Sequence, residues 1–221
     1  MNPFFPFAPH RAEPPLTDRW ILAFDQGLRT LFGKPVSSRP IPGDDFPDPE
    51  LSPAETQHVA ALMRVNHAGE VCAQALYQGQ ALTARRGMIR NTLKRAATEE
   101  TDHLAWTQQR LEELGGQTSR LNPFWYLGSL LIGATAGALG DKWSLGFLGE
   151  TEKQVVEHLA GHLERLPPAD EKSKAMLLKM QEDEARHATS AMAEGGENLP
   201  YLVRLGMRLA ARVMTSVAFR V

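Results

Sequence analysis

The chain has 221 residues, of which 43% are hydrophobic and 23% are charged, and its formal net charge is -2. These values are typical of a globular protein with a sizeable core, and they exclude long disordered tracts and a strongly basic nucleic-acid-binding surface. The single cysteine excludes a disulfide framework and any zinc or iron–sulfur site built from cysteines. No apolar run near the start has the length of a secretory signal, so we expect a reducing, cytoplasmic compartment.

The first 52 residues are predicted to be an extension of the main domain. Residues 1–15 are rich in proline and predict a loose tail. Residues 16–32 have helical spacing, and their apolar side chains share one broad face: Trp20, Ile21, Phe24, Leu28 and Leu31. The prolines, Gly33 and paired aspartates of residues 33–52 are typical of a linker.

From residue 53 onward, the pattern predicts long helices. Ser52-Pro53-Ala54-Glu55 has the sequence of a capping box, with proline at the first helical position. Glycines and prolines then delimit five apolar-periodic segments, at about 53–86, 88–114, 149–165, 170–194 and 199–219. No alternating strand pattern is convincing. The prediction is an all-α protein, in which two helical hairpins joined by a long crossover form a four-helix bundle.

Candidate metal ligands come from a repeated motif. The sequence contains three Glu-x-x-His strings: Glu55–His58, Glu100–His103 and Glu184–His187. On a helix, the two ends of such a string lie one turn apart and can reach a common point beside the helix. The first string stands at a predicted helix start, where glutamate is a capping residue, so we assign it a structural role.

The other two strings occupy matching positions in their hairpins. Glu70 precedes Glu100 by nearly the same interval as Glu152 precedes Glu184, and both midpoints fall on the predicted turns. Residues at equal distance from a turn lie side by side, so each hairpin brings a glutamate level with a Glu-x-x-His pair, about 24 Å from its turn. The six ligand candidates are Glu70, Glu100, His103, Glu152, Glu184 and His187.

Helical periodicity places these carboxylates on core-facing stripes. Glu152 shares an apolar stripe with Val155 and Leu159, whereas Glu99 and Asp102 fall on a polar stripe. Burying an unpaired charge is costly, and metal coordination compensates that cost. Four carboxylates balance two divalent ions, and an oxygen-rich shell with two imidazoles suits iron or manganese in a ferritin-like bundle.

Other polar side chains have simpler interpretations. His67 and His162 are expected to be ordinary buried or surface histidines, and Cys72 is expected to be a small buried residue. His158 follows Glu152 by less than two turns, so it is a candidate for a supporting position next to the ligands.

Four segments together resemble the demethoxyubiquinone hydroxylase family of ubiquinone biosynthesis: Arg64–Glu70, Glu100–His103, Gly149–Glu152 and Glu182–His187. The likeness covers residues 53–221, and the longer N-terminal part suggests the bacterial type. It implies a ferritin-like di-iron monooxygenase, in which the six candidates bind two iron ions. O2 would be the co-substrate in hydroxylating the ring of a polyprenyl demethoxyquinol. The reductant stays open, with NADH as one candidate. Other ubiquinone-biosynthesis proteins are candidate partners, and nucleic acid is not expected.

Two apolar segments concern access to a lipid-soluble substrate. Residues 121–140 carry no charge and have the length of a bilayer span, but one crossing would separate the two hairpins and split the site. We therefore expect either a buried crossover or an element dipping into the membrane interface. The last helix carries Arg204, Arg208 and Arg212 beside an apolar stripe of leucines and valines. This pattern is typical of a helix in an anionic interface, and docking on the bundle is the alternative. The expectation is a peripheral protein on the cytoplasmic side of the cell membrane.

Two other functions are compatible with the same pattern. A ferritin-like iron-storage or peroxide-detoxifying protein would use the same ligands but needs neither the apolar crossover nor the basic last helix. A membrane-associated helical scaffold without an enzymatic role would bind no iron.

Overall fold

The computed structural model describes residues 16–221, and this part of the chain forms seven helices and no strand. The predicted loose tail, residues 1–15, lies outside the described residues. The helices are α1 (Leu16–Phe32), α2 (Pro53–Thr83), α3 (Gly87–Glu113), α4 (Asn122–Ala138), α5 (Asp141–Leu163), α6 (Glu171–Ala193) and α7 (Tyr201–Ala218). The all-α prediction is confirmed.

Helices α2, α3, α5 and α6 form the predicted bundle. α2 packs on α3 and α5 packs on α6, and the two hairpins meet through α3–α6 and α2–α5 contacts. Two apolar clusters fill the bundle. One includes Tyr77, Leu93 and Leu148, nearer the α2–α3 turn. The other includes Met63 and Trp106, nearer the opposite end. The fold is a ferritin-like helical bundle, with a polar layer left between the two clusters.

Local signals set several helix ends as predicted. The Ser52 hydroxyl accepts a hydrogen bond from the backbone N–H of Glu55, whose carboxylate accepts one from the Ser52 N–H, so the capping box is confirmed. Gly115 and Gly195 follow α3 and α6 with φ of 65° and 104°. This left-handed backbone is strained for other residues, so glycine ends both helices there.

The start of α5 was predicted wrongly. The helix begins at Asp141, two turns before Gly149. Gly140, with φ of 119°, breaks the chain after α4. The Asp141 carboxylate then accepts hydrogen bonds from the backbone N–H groups of Arg85 and Arg86, at 3.0 and 3.2 Å, in the α2–α3 turn. The contact that anchors this helix end therefore comes from a distant segment, which periodicity does not reveal.

The uncharged segment forms α4, which crosses the outside of α2. Their backbones approach closely because glycines line the contact: Gly79 of α2 faces Ala134, and Gly133 of α4 faces the Leu76 carbonyl. The other side of α4 is open, with Phe124 72% exposed. Of the two alternatives predicted for this segment, the buried crossover is therefore wrong, because only one side of α4 is buried. None of the helices between residues 16 and 221 combines the length and the apolar character needed to cross a membrane.

The N-terminal extension packs on the bundle over its described part. In α1, Arg19 donates a hydrogen bond to the Leu82 carbonyl at 2.7 Å, and the Thr30 hydroxyl donates one to Gln74 at 2.5 Å. On the predicted apolar face of α1, the side chains of Ile21, Phe24 and Leu28 are exposed. The segment between α1 and α2 forms no helix and runs along α3 and α6.

The glycine contact between α2 and α4 makes a specific stability prediction. A methyl group at Gly133 would overlap the Leu76 carbonyl, so Gly133→Ala is expected to destabilise the fold by about 1–3 kcal/mol. Gly128 lies in the same helix with open space at its Cβ, so Gly128→Ala is the matched control and should be neutral or stabilising by up to about 1 kcal/mol. Thermal unfolding measures both, and equal melting temperatures would contradict the close contact.

Candidate metal centre

All six residues singled out by the sequence meet in the polar layer between the apolar clusters. They form two overlapping groups of buried side chains whose potential ligand atoms lie within 4.8 Å of one another. The first group is Glu70, Glu100, His103 and Glu184, and the second is Glu100, Glu152, Glu184 and His187. Two glutamates belong to both groups, so the cluster has two adjoining centres.

In each group an imidazole Nδ1 faces the carboxylates. His103 Nδ1 lies 3.1 Å from Glu100 Oε2, 3.0 Å from Glu184 Oε1 and 3.8 Å from Glu70 Oε2. This matches the prediction that an i, i+3 pair on one helix reaches the same point as a carboxylate on the facing helix.

The second imidazole repeats the arrangement. His187 Nδ1 lies 3.5 Å from Glu100 Oε1, 3.5 Å from Glu152 Oε1 and 3.4 Å from Glu184 Oε2. The two hairpins thus supply equivalent donor sets around neighbouring points. Each set combines one ring nitrogen with several carboxylate oxygens.

The outward-facing nitrogen of each imidazole contacts a further acid. His103 Nε2 lies 3.2 Å from Asp183 Oδ2, and His187 Nε2 lies 3.1 Å from Glu99 Oε2. Such partners hold the ring orientation and leave the other nitrogen free for a metal. Both acids immediately precede a ligand glutamate, and each serves the histidine of the other hairpin. This role was not predicted from the sequence, although an acidic residue directly before the second and the third Glu-x-x-His string was a visible signal.

Asp102 was wrongly assigned to a polar stripe. It is buried, and its carboxylate accepts hydrogen bonds from the Ser38 N–H at 2.6 Å, the Arg39 Nε at 2.6 Å and the Ser37 hydroxyl at 3.0 Å. The segment before α2 covers this side of α3. The helical periodicity predicted a solvent-exposed face there, but the face packs against that segment.

Tyr77 is another functional candidate that sequence reasoning missed. It is buried, and its hydroxyl donates a hydrogen bond to Glu152 Oε1. Its spacing of two turns from Glu70 on α2 was the available signal. The contact holds a candidate ligand from the facing hairpin.

Charges in the cluster strongly perturb one another. Burial and the charge of Glu100 raise the pKa of Glu70 well above its usual range, and burial and the charge of Glu184 do the same for Glu152. Burial would lower the pKa of His103, but hydrogen bonds to neighbouring carboxylates, Asp183 foremost, raise it well above the ordinary value. Without metal, the cluster therefore holds protons on its imidazoles and on part of its carboxylates.

The donors fit a pair of divalent cations. Three atoms aimed into the cluster are buried and have no hydrogen-bond partner among the described residues, namely Glu100 Oε1, Glu184 Oε2 and His187 Nδ1. Buried polar atoms without a hydrogen-bond partner are costly unless they bind an ion. Carboxylate and imidazole donors suit iron or manganese.

A cavity of about 780 Å³ leads to this cluster. Its walls come from α2 and α5 on the bundle side and from α4 and α7 on the outer side. Glu70, Glu152 and Glu184 contribute to its lining, and most of the remaining lining is apolar. Phe124 and Val213 line it and are exposed, so it reaches the surface between α4 and α7.

The other residues discussed from sequence lie beside this cavity or in the core. His158 lines the cavity, and its buried Nε2 has no hydrogen-bond partner among the described residues. Its ring lies 4.0 Å from that of His162, and burial lowers the pKa of the two to about 4 and about 2. His67 is buried with its pKa lowered to about 4. Burial raises the pKa of Cys72 to about 11, so its thiol stays protonated.

Comparisons with known proteins agree with this geometry. The family model described as "Ubiquinone biosynthesis protein COQ7" matches residues 57–218. A protein of Nitrosospira multiformis named 3-demethoxyubiquinol 3-hydroxylase is 59% identical over 205 residues, covering 93% of this chain and 99% of that protein. Equally named proteins of Azoarcus sp. and Nitrosomonas europaea are each 56% identical, covering 92% and 91% of this chain and 99% and 97% of their own lengths. The chain belongs to the COQ7 family of ubiquinone biosynthesis proteins.

Proposed function

We propose that this chain is a 3-demethoxyubiquinol 3-hydroxylase, a monooxygenase that uses O2 to hydroxylate the ring of a polyprenyl demethoxyquinol in ubiquinone biosynthesis. The observation that carries the proposal is the apolar cavity whose inner lining includes Glu70, Glu152 and Glu184. A quinol ring with an apolar tail fits such a cavity, whereas ions and peroxide require no apolar passage.

The six clustered side chains would hold two iron ions. Glu70 and His103 would bind one ion, Glu152 and His187 would bind the other, and the two central glutamates would be shared. When bound, paired iron supplies the capacity to reduce O2 and to deliver one of its oxygen atoms to an organic substrate. Four carboxylates balance the charge of two divalent ions, so the buried layer would be close to neutral.

The protein's own groups would orient the ligands and exclude water. The Tyr77 hydroxyl holds Glu152, and the acids behind the two imidazoles fix the rings. The apolar cavity wall would displace water from the ring and its surroundings. His158 stands in that wall with an unpaired nitrogen, which suits it to a supporting role beside the substrate and the ligands.

Access would be from the membrane surface. At the cavity mouth, α4 exposes Phe124 and Ile132, and α7 exposes Val213. Elsewhere on these two helices, Leu131 and Leu209 are also exposed. The arginines of α7 add positive charge, which favours contact with the anionic cytoplasmic leaflet of the cell membrane. A peripheral position there would let a polyprenyl quinol enter the cavity from the lipid. NADH is a candidate electron donor, and other ubiquinone-biosynthesis proteins are candidate partners.

Removal of one shared carboxylate tests the activity. Glu184→Ala is expected to lower metal affinity by more than about 100-fold and to abolish hydroxylation, because outer-shell changes alone cost up to that factor. Iron content is measured by elemental analysis, and the hydroxylated product by mass spectrometry with a demethoxyquinol substrate. Glu182→Ala is the matched control, since Glu182 is an exposed glutamate of the same helix. Wild-type protein that takes up iron but yields no hydroxylated product would favour iron storage.

The affinity of the cluster for metal is expected to depend on pH, because the metal-free cluster holds protons. The raised pKa values of His103 and His187 mean that both imidazoles are protonated near neutral pH without metal. A metal must displace those protons, so affinity should rise with pH between about 6 and 8, by about tenfold per unit for each proton displaced. Calorimetric titration of the metal-free protein with Mn²⁺, in two buffers of different ionisation enthalpy, counts the protons released. Binding without proton release would contradict the proposed ligand set.

Membrane contact is tested by flotation with vesicles that contain phosphatidylglycerol. Wild-type protein should float with them, and Leu209→Glu should reduce the floating fraction several-fold, because a charge replaces an apolar side chain in the interface. Leu178→Glu is the control, since Leu178 is an exposed leucine of α6 away from the cavity mouth. Equal flotation of the two variants would argue against α7 as the contact.

A further inference from the structure

The segment between α1 and α2 sends one charged side chain to the back of the candidate metal centre. Arg39 Nη1 lies 2.6 Å from Asp183 Oδ2, and Arg39 Nε lies 2.6 Å from Asp102 Oδ2. The guanidinium carbon also lies 4.7 Å from the Trp106 ring centroid. One side chain of a predicted linker thus joins α3 to α6 directly behind the ligand layer.

We propose that Arg39 is a positioning residue of the metal centre: through Asp183 it holds the His103 imidazole in the orientation that binds metal. The inference rests on the proposed function, specifically on a metal ion at His103. It assigns the N-terminal extension a part in the site, although Arg39 lies outside residues 57–218, which the family model matches, and outside the Glu-x-x-His strings.

One oxygen of Asp183 contacts both the arginine and the imidazole. Asp183 Oδ2 contacts Arg39 Nη1 and also His103 Nε2, which lies 3.2 Å away. The other oxygen, Oδ1, contacts Arg186 at 2.8 Å and Lys179 at 3.3 Å. Without Arg39, the carboxylate would keep its cations on Oδ1 but lose the group that fixes Oδ2 against the imidazole.

Comparison with the equivalent position in the other hairpin shows an asymmetry. The Asp183 side chain is fully buried, whereas that of Glu99, the acid behind His187, is 35% exposed. Glu99 pairs with Arg186, which is itself half exposed. A buried carboxylate depends on fixed charged partners more than an exposed one, since water cannot replace them. The two centres therefore differ in their outer support, although their ligands are equivalent.

The surrounding segment is arranged to hold Arg39 in place. The Trp106 indole N–H donates to the Ser37 hydroxyl at 2.9 Å, and that hydroxyl oxygen also accepts a hydrogen bond from the Arg39 backbone N–H at 3.2 Å. The Trp106 ring lies 5.2 Å from the His103 ring. The guanidinium, the indole and the imidazole thus pack as one unit, and a displaced arginine would loosen the ring that binds metal.

The test compares metal binding by variants of the full-length, metal-free protein. Each is titrated with Co²⁺, whose visible absorption reports the ligand geometry of each equivalent bound. Arg39→Ala is expected to weaken one of two equivalents by about 10–100-fold and to leave the other within a few-fold of wild type. Arg39→Lys should recover part of the loss. Asp48→Asn is the matched control. Asp48 lies in the same segment as Arg39, and its substitution removes a 2.6 Å ion pair with Lys172 of α6 but leaves the contacts of Asp102 and Asp183 intact.

A second comparison separates positioning from general destabilisation. In an Asp183→Asn background, Arg39→Ala should have little further effect on Co²⁺ affinity, because the residue through which it acts is already changed. An equal effect in both backgrounds, or equal weakening of both equivalents, would overturn the proposal. So would unchanged binding by Arg39→Ala when wild-type protein binds two equivalents. Wild-type protein that binds no Co²⁺ would instead overturn the metal centre itself.

Discussion

The structure depends on burying four carboxylates and two imidazoles in one layer of a helical bundle. Ionised groups are very costly in an apolar interior unless opposite charge reaches them. Apolar clusters lie on both sides of the layer, and the cavity that leads to it has a mostly apolar lining, so these charges are poorly solvated by water. The protein compensates in two ways, by placing donors where cations fit and by surrounding the imidazoles with outer acids. The register of the helices brings the six side chains into this layer, and the N-terminal segment packs behind it.

The two hairpins contribute equivalent residues to the site, but the surroundings of these residues differ between the hairpins. Each hairpin contributes a glutamate, a Glu-x-x-His pair and an acid that supports the histidine of the other hairpin. Around this repeated set, the chain differs on the two sides. Asp183 is covered by Arg39 from the N-terminal segment, whereas Glu99 lies near the surface. The Tyr77 hydroxyl donates a hydrogen bond to Glu152 of the second hairpin. A symmetric set of candidate ligands thus lies in an asymmetric surrounding.

The helices outside the bundle determine what can reach the layer. α4 lies against α2 through glycines, which leaves its large apolar side chains free to face outward and toward the cavity. α7 forms the opposite wall with an exposed apolar stripe and several arginines. A bundle without these two helices would have the same candidate ligands but no apolar passage. The four-helix bundle holds the reactive side chains, whereas α4 and α7 determine which kind of molecule can reach them.

The sequence by itself determined the helical class, the capping box at Ser52 and the grouping of the six candidate ligands. These features follow from helical periodicity and from the midpoints of two hairpins, and both are local properties of the chain. Only the tertiary structure decided the start of α5 at Asp141, the exposed side of α4 and the burial of Asp102. The Arg39–Asp183 pair joins residues 144 positions apart, so no local sequence pattern predicts it. Long-range contacts of this kind are set by which surfaces meet, and that is a property of the packed molecule.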